Sequence, residues 1–337
     1  MVTISMKVIL NLGKKKPTVD KNNASNGVIE RNGNREFHQL AIQAIAEERL
    51  YRRSSTVNNY ITALRSFIGF AGEHLLLDDF NQQLIEQYQQ FLKSKGICLN
   101  TISCYMRSLR VIYKKTMGGN SNVNANPFNN VFLGKTKTRK RSIANDEILR
   151  IQQLELPSGS YLRLCRDTML FSFYALGMPF VDIAHLQHSQ IIDNTIFYYR
   201  QKTMQPVHIK IEPCIRKIID YYYNPQRRYI FPFITADDNI TANRQYHTSL
   251  GRYNRTLKRI ARMAGVTSNI TSYTMRHTWA TLAFRNNIDL PIISKALGHT
   301  NTNTTITYIR EIDDAPIAEA NRKLLEMLHL VTEPTDK

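Results

Sequence analysis

The sequence predicts a mainly α-helical protein with a small β-sheet, an α+β chain with two main domains. Its 337 residues, 42% of them hydrophobic, suffice for two cores of ordinary size. Apolar residues recur with the helical period from Glu36 onward, and again from about Pro213. Between these regions, residues 191–211 alternate in polarity, which indicates two short strands. One short β region between long helical stretches gives the predicted class.

The N-terminal part is divided into an arm and a helical domain. Residues 1–35 predict a short strand, Val2 to Leu12, and a basic flexible arm, with a disordered tail as the alternative. Residues 36–133 predict four helices, the first near 36–52. Gly96 is expected to cap the third helix and Asn100 to begin the fourth. The apolar stripes of the last three helices are Val57, Ile61, Leu64, Ile68 and Ala71; Leu84, Ile85, Tyr88, Phe91 and Leu92; and Ile102, Tyr105, Met106, Leu109 and Tyr113.

Positive charge is concentrated on the fourth helix and in the segment that follows the helical domain. Lysine and arginine number 45 against 27 acidic residues, a formal net charge of +18, which indicates a polyanionic partner such as DNA, RNA or an anionic membrane. Arg107, Arg110 and Lys114 follow each other at helical spacing along one face, which suits a phosphate backbone; a solvated face is the alternative. Residues 134–142 form a basic linker that contacts DNA or serves as a solubilising spacer. Its charged residues are Lys135, Lys137, Arg139, Lys140 and Arg141.

Residues 143–337 are predicted to form a second, mixed domain. A strongly apolar helix is expected over 161–176, and the strands IIDNTIFYYR and QPVHIKI are joined by QKTM, which places Lys202 at a hairpin turn. In the segment 271–310, a helix carries Met275, Trp279 and Leu282 inward and presents Arg276 on an adjoining face. Pro291 suits the first turn of the next helix and Gly298 its C-terminal cap. His299 therefore follows a helix end, and Tyr308 comes nine residues later.

The motifs RHTWAT and LGH, with a tyrosine nine residues after the LGH histidine, resemble the C-terminal signature of the tyrosine recombinases, the phage-integrase family. NTISCYMRSLRVIYKK, NPFNNVF, TRKRSI, FSFYALGMPFVDIAHL and YYRQKT resemble the branch that serves conjugative transposons and invertible DNA segments. The resemblance implies a helical core-binding domain and a mixed α/β catalytic domain that close around double-stranded DNA. It also implies site-specific cleavage and rejoining of DNA through a 3′-phosphotyrosyl intermediate.

The resemblance also assigns roles to single residues. Tyr308 would attack phosphorus, Lys202 would protonate the leaving 5′ oxygen, and Arg276 and His299 would contact the scissile phosphate. Tyr273 stands where the family usually has a histidine, and its phenol can still donate a hydrogen bond.

The family's first arginine is absent from this sequence. Its usual position holds Pro179, and the position that some members of the branch use instead holds Leu176; neither residue carries a charge. Arg200, two residues before Lys202 and expected on the same strand face, is the first candidate for a substitute, and Arg166 is the second. The missing arginine keeps open the alternative of a recombinase-fold DNA-binding protein that cleaves slowly or not at all. A generic RNA-binding protein is disfavoured because no RNA-binding module is recognisable.

Further expectations concern cofactors, location and assembly. No metal or cofactor is expected, because the four cysteines lack ligand spacing and are interpreted as buried thiols. No apolar run has the length of a membrane span and no signal peptide is recognisable, so a cytoplasmic protein is expected. An amphipathic helix over 316–330 would dock on a neighbouring protomer in a DNA-bound tetramer or pack on its own domain. A monomer is expected in free solution.

Overall fold

The computed structural model describes residues 36–118, 126–136 and 142–306, together with Arg322. These residues form helices and one three-stranded antiparallel sheet, which confirms the predicted mainly α class with a small sheet. They divide into two compact units, with the division between Thr138 and Arg139. The predicted N-terminal strand and arm, Lys137, Arg139, Lys140, Arg141, Tyr308 and the predicted helix over 316–330 lie outside the described residues, Arg322 excepted.

The first unit contains the four helices that the sequence predicts. They are α1 (Phe37–Tyr51), α2 (Ser54–Ala71), α3 (Gln82–Ser94) and α4 (Leu99–Thr116). Their predicted apolar stripes face one core, which is rich in aromatic rings. Phe67 contacts Tyr88 with ring centroids 5.1 Å apart, and Phe37 contacts Phe80 at 4.6 Å. Gly96 follows α3 with a φ of 71°, which confirms it as the helix-ending residue.

Asn100 does not begin α4, contrary to the sequence prediction. The helix begins one residue earlier, with Cys98 at the N-cap position. The Asn100 side chain instead holds the start of the predicted linker: Nδ2 donates to the carbonyl of Thr136 at 3.1 Å, and Oδ1 accepts from its N–H at 2.9 Å. Ser103 Oγ also donates to the carbonyl of Gly134 at 2.7 Å. These hydrogen bonds fix residues 134–136 against α4. As an N-cap, Asn100 would satisfy one main-chain N–H, whereas here its amide satisfies both main-chain groups of Thr136.

The second unit surrounds a buried central helix. Its helices are α5 (Asn145–Gln152), α6 (Tyr161–Tyr174), α7 (Phe180–Ala184), α8 (Pro213–Tyr222), α9 (Asn239–Met263), α10 (Thr274–Arg285), α11 (Leu290–Ala296) and α12 (Thr302–Ile306). The helix α6 packs against α8, α9 and α10, which explains its apolar sequence. It ends two residues before the predicted boundary, because Leu176 and Gly177 both take a positive φ and turn the chain away.

The sheet has three strands where the sequence analysis predicted two. The strands are β1 (Ile191–Ile192), β2 (Thr195–Tyr199) and β3 (Pro206–Lys210), paired in that order. Asp193 and Asn194 both have positive φ, 46° and 59°, which is typical of a two-residue hairpin turn and divides the first predicted strand. Lys202 lies in the turn between β2 and β3, as predicted, and that turn is closed by a hydrogen bond from Arg200 N to Gln205 O of 2.9 Å.

The cysteines are not all buried, contrary to the prediction. Cys165 is buried in the second core and Cys104 is half-buried, whereas Cys98 and Cys214 are exposed. The exposed pair lies at helix N-termini: Cys98 is the N-cap residue of α4, and Cys214 is the second residue of α8. Among the described residues, no helix is both long and apolar enough to cross a membrane.

Candidate active site

Two arginine side chains from distant parts of the second unit meet at one main-chain oxygen. Arg276, on the first turn of α10, donates from Nη1 to Gly177 O at 3.0 Å and from Nη2 to Leu297 O. Arg200, directly after β2, donates from Nη1 to the same Leu297 O at 2.9 Å. This oxygen ends α11, where carbonyls lack helical partners and the helix dipole favours cations. The helix end therefore holds two positive charges close together.

The prediction that Arg276 is presented on an open helix face is wrong. Only 1% of Arg276 is exposed, and 3% of Arg200. Two glycines allow this burial: a Cβ at Gly177 would lie 3.0 Å from Arg276 Cα, and one at Gly298 would lie 2.5 Å from Arg200 Cδ. Both glycines have positive φ, and Gly298 takes the predicted C-terminal position of α11. Sequence periodicity could not reveal the burial, because the covering chain comes from other elements.

A buried carboxylate fixes Arg200 and the chain beyond it. Asp182, on α7, accepts from Arg200 Nε at 3.4 Å and from the main-chain N–H of Gln201 at 2.9 Å. Burial raises the pKa of Asp182, while the Gln201 hydrogen bond and the positive charge of Arg200 act in the opposite direction. Asp182 thus orients one guanidinium and anchors the start of the turn that carries Lys202.

The predicted histidine lies beside Arg276. His299 Nε2 is 3.0 Å from Arg276 Nη2, and His299 Nδ1 is 2.8 Å from Thr305 Oγ1. Burial lowers the pKa of His299 to about 3, and the charges of Arg276, Arg200 and Lys202 contribute to this shift in that order. The imidazole is therefore neutral near neutral pH.

Lys202 and Tyr273, the other two predicted site residues among those described, are both exposed. Lys202 is exposed in its turn, and Arg200 is buried, so the two do not share a strand face as predicted. The reason is that β2 ends at Tyr199 and the chain turns before Lys202. Thr203 Oγ1 donates to Gly298 O at 3.1 Å and holds the turn against the end of α11. Tyr273 is the N-cap residue of α10 and is 37% exposed.

The two residues at the positions of the absent arginine lie near Arg276 in the chain fold but carry no charge. Pro179 precedes α7, and Leu176 has a φ of 55° in the preceding turn. Arg166 is bound elsewhere: its Nε donates to Asp167 at 2.8 Å and its Nη1 to Leu154 O at 2.7 Å. Of the two predicted substitutes, Arg200 lies beside Arg276, whereas Arg166 lies in the N-terminal half of α6 with partners of its own.

The predicted basic residues of the first unit are at its surface. Arg107 and Lys114 are exposed on α4 and Arg110 is half-buried, while Lys135 is exposed just beyond Gly134. Arg107 Nε donates to Ser103 O at 3.2 Å, which directs its guanidinium along the helix.

A second basic surface, on α9, was missed by the sequence analysis. The opposite face of this helix is buried through Tyr253, Leu257 and Ile260. The exposed side carries what we call the α9 basic face: Arg244, Arg255, Lys258 and Arg262. Two further arginines and no acidic residue occur in this helix of 25 residues. The signal available in the sequence was a set of basic residues at helical spacing with no acidic residue among them.

A helical unit followed by a mixed unit with an arginine and histidine site is the architecture that the resemblance implies for tyrosine recombinases. Residues 141–314 match the model of the phage integrase family, and residues 36–133 match that of the phage integrase SAM-like domain. The chain belongs to the phage integrase family, and with it to the site-specific tyrosine recombinases, a class of enzymes that cleave and rejoin DNA.

Similar proteins support this assignment over most of the chain. The tyrosine recombinase XerD of Oceanobacillus iheyensis is 22% identical over 279 residues, which cover 81% of this chain and 91% of the relative. That of Staphylococcus aureus is 25% identical over 268 residues, covering 76% and 87%. Among solved structures, a lambda integrase dimer bound to a COC′ core site matches with a TM-score of 0.65 at 16% identity, covering 82% of this chain and 97% of that one. The Tn1549 transposon integrase with circular intermediate DNA matches at 0.64 and 15%, covering 86% and 99%.

Proposed function

We propose that Arg200, Arg276, His299 and Lys202 bind the scissile phosphate of double-stranded DNA and that Tyr308 is the nucleophile. The observation that carries this proposal is that Arg200 and Arg276 share the Leu297 carbonyl, so two guanidinium groups are held together before substrate arrives. Arg200 would then supply the charge that Pro179 and Leu176 cannot.

The chemistry requires such an arrangement because a phosphodiester is anionic and repels nucleophiles. Charge that develops on the nonbridging oxygens is stabilised by donors that are already in place. The phenol oxygen of Tyr308 attacks phosphorus and loses its proton to solvent, the bond to the 5′ oxygen breaks, and Lys202 protonates that oxygen. A 5′ hydroxyl then reverses the same steps on the phosphotyrosyl bond. Bond energy is conserved throughout, so we expect no requirement for ATP or a metal.

DNA binding by this chain would use three basic surfaces. These are the α9 basic face, the Arg107, Arg110 and Lys114 stripe, and the linker from Lys135 to Arg141. Their Coulombic contacts with phosphates fit the net charge of +18. One matching structure is a lambda integrase tetramer bound to a Holliday junction. We propose a corresponding tetramer of this chain on DNA, with a monomer in free solution and the helix over 316–330 as the link between protomers. A cytoplasmic location follows from the substrate.

A second candidate function is a DNA-binding protein of the same fold that cleaves slowly or not at all. It is favoured by Leu176 and Pro179 at the two positions of the absent arginine. The buried, oriented Arg200 argues against it, because a guanidinium held between Asp182 and a helix end is fixed in position.

Covalent trapping on a nicked suicide substrate tests the proposal. The wild-type protein should form a covalent complex in EDTA and without ATP. Tyr308→Phe should form none but keep its affinity for the site within a few-fold, because only the nucleophilic oxygen is lost. Tight site binding by the wild type without any covalent complex would establish the second candidate instead.

A further inference from the structure

The hydrogen bonds of His299 determine which ring nitrogen carries its proton. Arginine has N–H donors and no acceptor, so in the 3.0 Å contact with Arg276 the Nε2 of His299 must accept. A neutral imidazole with an accepting Nε2 carries its proton on Nδ1. Nδ1 therefore donates to Thr305 Oγ1, 2.8 Å away.

This tautomer cannot serve a phosphate. A phosphate oxygen is an acceptor, and His299 must present Nε2–H to it if the ring is to contribute a hydrogen bond. With the ring neutral, the proton must then leave Nδ1, and Nδ1 becomes an acceptor that needs a donor. The ring charge stays at zero in this exchange, because one proton leaves Nδ1 to solvent and another arrives at Nε2 from solvent.

A hydroxyl can hydrogen-bond Nδ1 of His299 in both tautomers. It has one O–H donor and two lone pairs, so the same Thr305 Oγ1 can accept from Nδ1–H or, after rotation, donate to Nδ1. Thr305 is completely buried on α12, and it stands three residues before Tyr308 in the sequence. Its burial favours a fixed distance to the ring in both states.

We propose that Thr305 is a positioning residue that, together with Arg276, sets the tautomer of His299. In the free protein its oxygen accepts from Nδ1–H, while Nε2 accepts from Arg276. When the scissile phosphate binds, Arg276 Nη2 donates to the phosphate instead of Nε2, the Thr305 hydroxyl donates to Nδ1, and Nε2–H donates to a phosphate oxygen. The second half rests on the proposed function, because it assumes that phosphate binds at His299; the first half does not.

The test compares Thr305→Val, which keeps the shape but removes the hydroxyl, with Thr305→Ser, which keeps the hydroxyl. The free protein carries ¹⁵N only in histidine, long-range ¹H–¹⁵N correlations report the tautomer, and His299→Gln identifies the His299 signals. Wild type and Thr305→Ser should show the proton on Nδ1. Thr305→Val leaves Nδ1–H without its acceptor, so that only Arg276 still favours this tautomer, and the proton should shift in part to Nε2. Thr302→Val, on the same helix, is the control for the loss of a threonine hydroxyl.

Cleavage of the suicide substrate tests the second half. Thr305→Val should cleave about tenfold more slowly, the effect of one lost hydrogen bond, with Thr305→Ser and Thr302→Val close to wild type. An unchanged tautomer in Thr305→Val would show that Arg276 alone sets it and would overturn the proposal. A Thr305→Ser variant as slow as Thr305→Val would overturn it too, since packing would then be the cause. A wild type that never cleaves would refute the proposed function, while the tautomer measurement would still decide the role of Thr305 in the free protein.

Discussion

Replacing Arg200 with glutamine should lower cleavage and stability for two separable reasons. Loss of one preorganised charge donor from an anionic transition state costs about 3 to 4 kcal/mol, or about 10² to 10³ in rate. The folded state also loses the partner of Asp182, whose side chain is 0% exposed and lies beside an arginine side chain that is 4% exposed. A buried carboxylate without its partner costs about 3 to 5 kcal/mol. The single variant therefore loses both cleavage rate and folding stability, and its activity alone does not separate the two effects.

The double variant Arg200→Gln with Asp182→Asn separates the two. The amide introduced at position 182 carries no charge, and its oxygen can still accept from the Gln201 N–H that Asp182 binds at 2.9 Å. Most of the lost stability should return, as measured by urea unfolding. The rate of covalent complex formation on a nicked substrate should remain at the level of the single variant. If cleavage returned to the wild-type rate together with stability, Arg200 would be a structural residue and the site would still lack its second guanidinium.

Three other perturbations test the same site and the DNA-binding surface. Gly298→Ala should abolish most cleavage, because its methyl would lie 2.5 Å from Arg200 Cδ; Gly96→Ala, which also has a positive φ but nothing within 4 Å, should cost only about 1 to 2 kcal/mol of stability. The pKa of His299 falls from 6.5 in the unfolded chain to about 3, so protonation favours unfolding as the pH drops below 6.5. His299→Gln should remove up to about 1.4 kcal/mol per pH unit of that loss, as measured by urea unfolding across this range. Neutralising the four residues of the α9 basic face should flatten the slope of log K against log salt by about 3 to 4 units, and an unchanged slope would exclude that face from the interface.

The elements of this fold were predictable where local chemistry decides them. The stripes of α2, α3 and α4 follow helical spacing, and Gly96 and Gly298 end helices because their positive φ suits glycine. The turn at Asp193 and Asn194 was missed, although Asp and Asn are residues that tolerate positive φ. There the alternation of apolar residues continued across the turn, and the strand pattern concealed it.

The residues of the candidate site could be proposed from the sequence, but their geometry could not. Motif spacing identified Arg276 and His299, and proximity in sequence to Lys202 pointed to Arg200. The burial of Arg276 could not be foreseen, because it depends on Gly177, 99 positions away along the chain. The partnership of Arg200 with Asp182 depends on the packing of α7 against the strand end, which no local pattern encodes.

The oxygen to which both arginines donate belongs to the main chain, and a main-chain oxygen is present whatever side chain stands at position 297. A substitution there can move this acceptor but cannot delete it. The position of each guanidinium is therefore set by a hydrogen-bond acceptor that remains after any substitution at position 297. An arginine that reaches this oxygen from any neighbouring element would be held near the same point, so the charge can change its place in the sequence while keeping its place in space. The turn after β2 is one such origin: in this chain Arg200 donates to this oxygen from there, while Leu176 and Pro179, before α7, carry no charge.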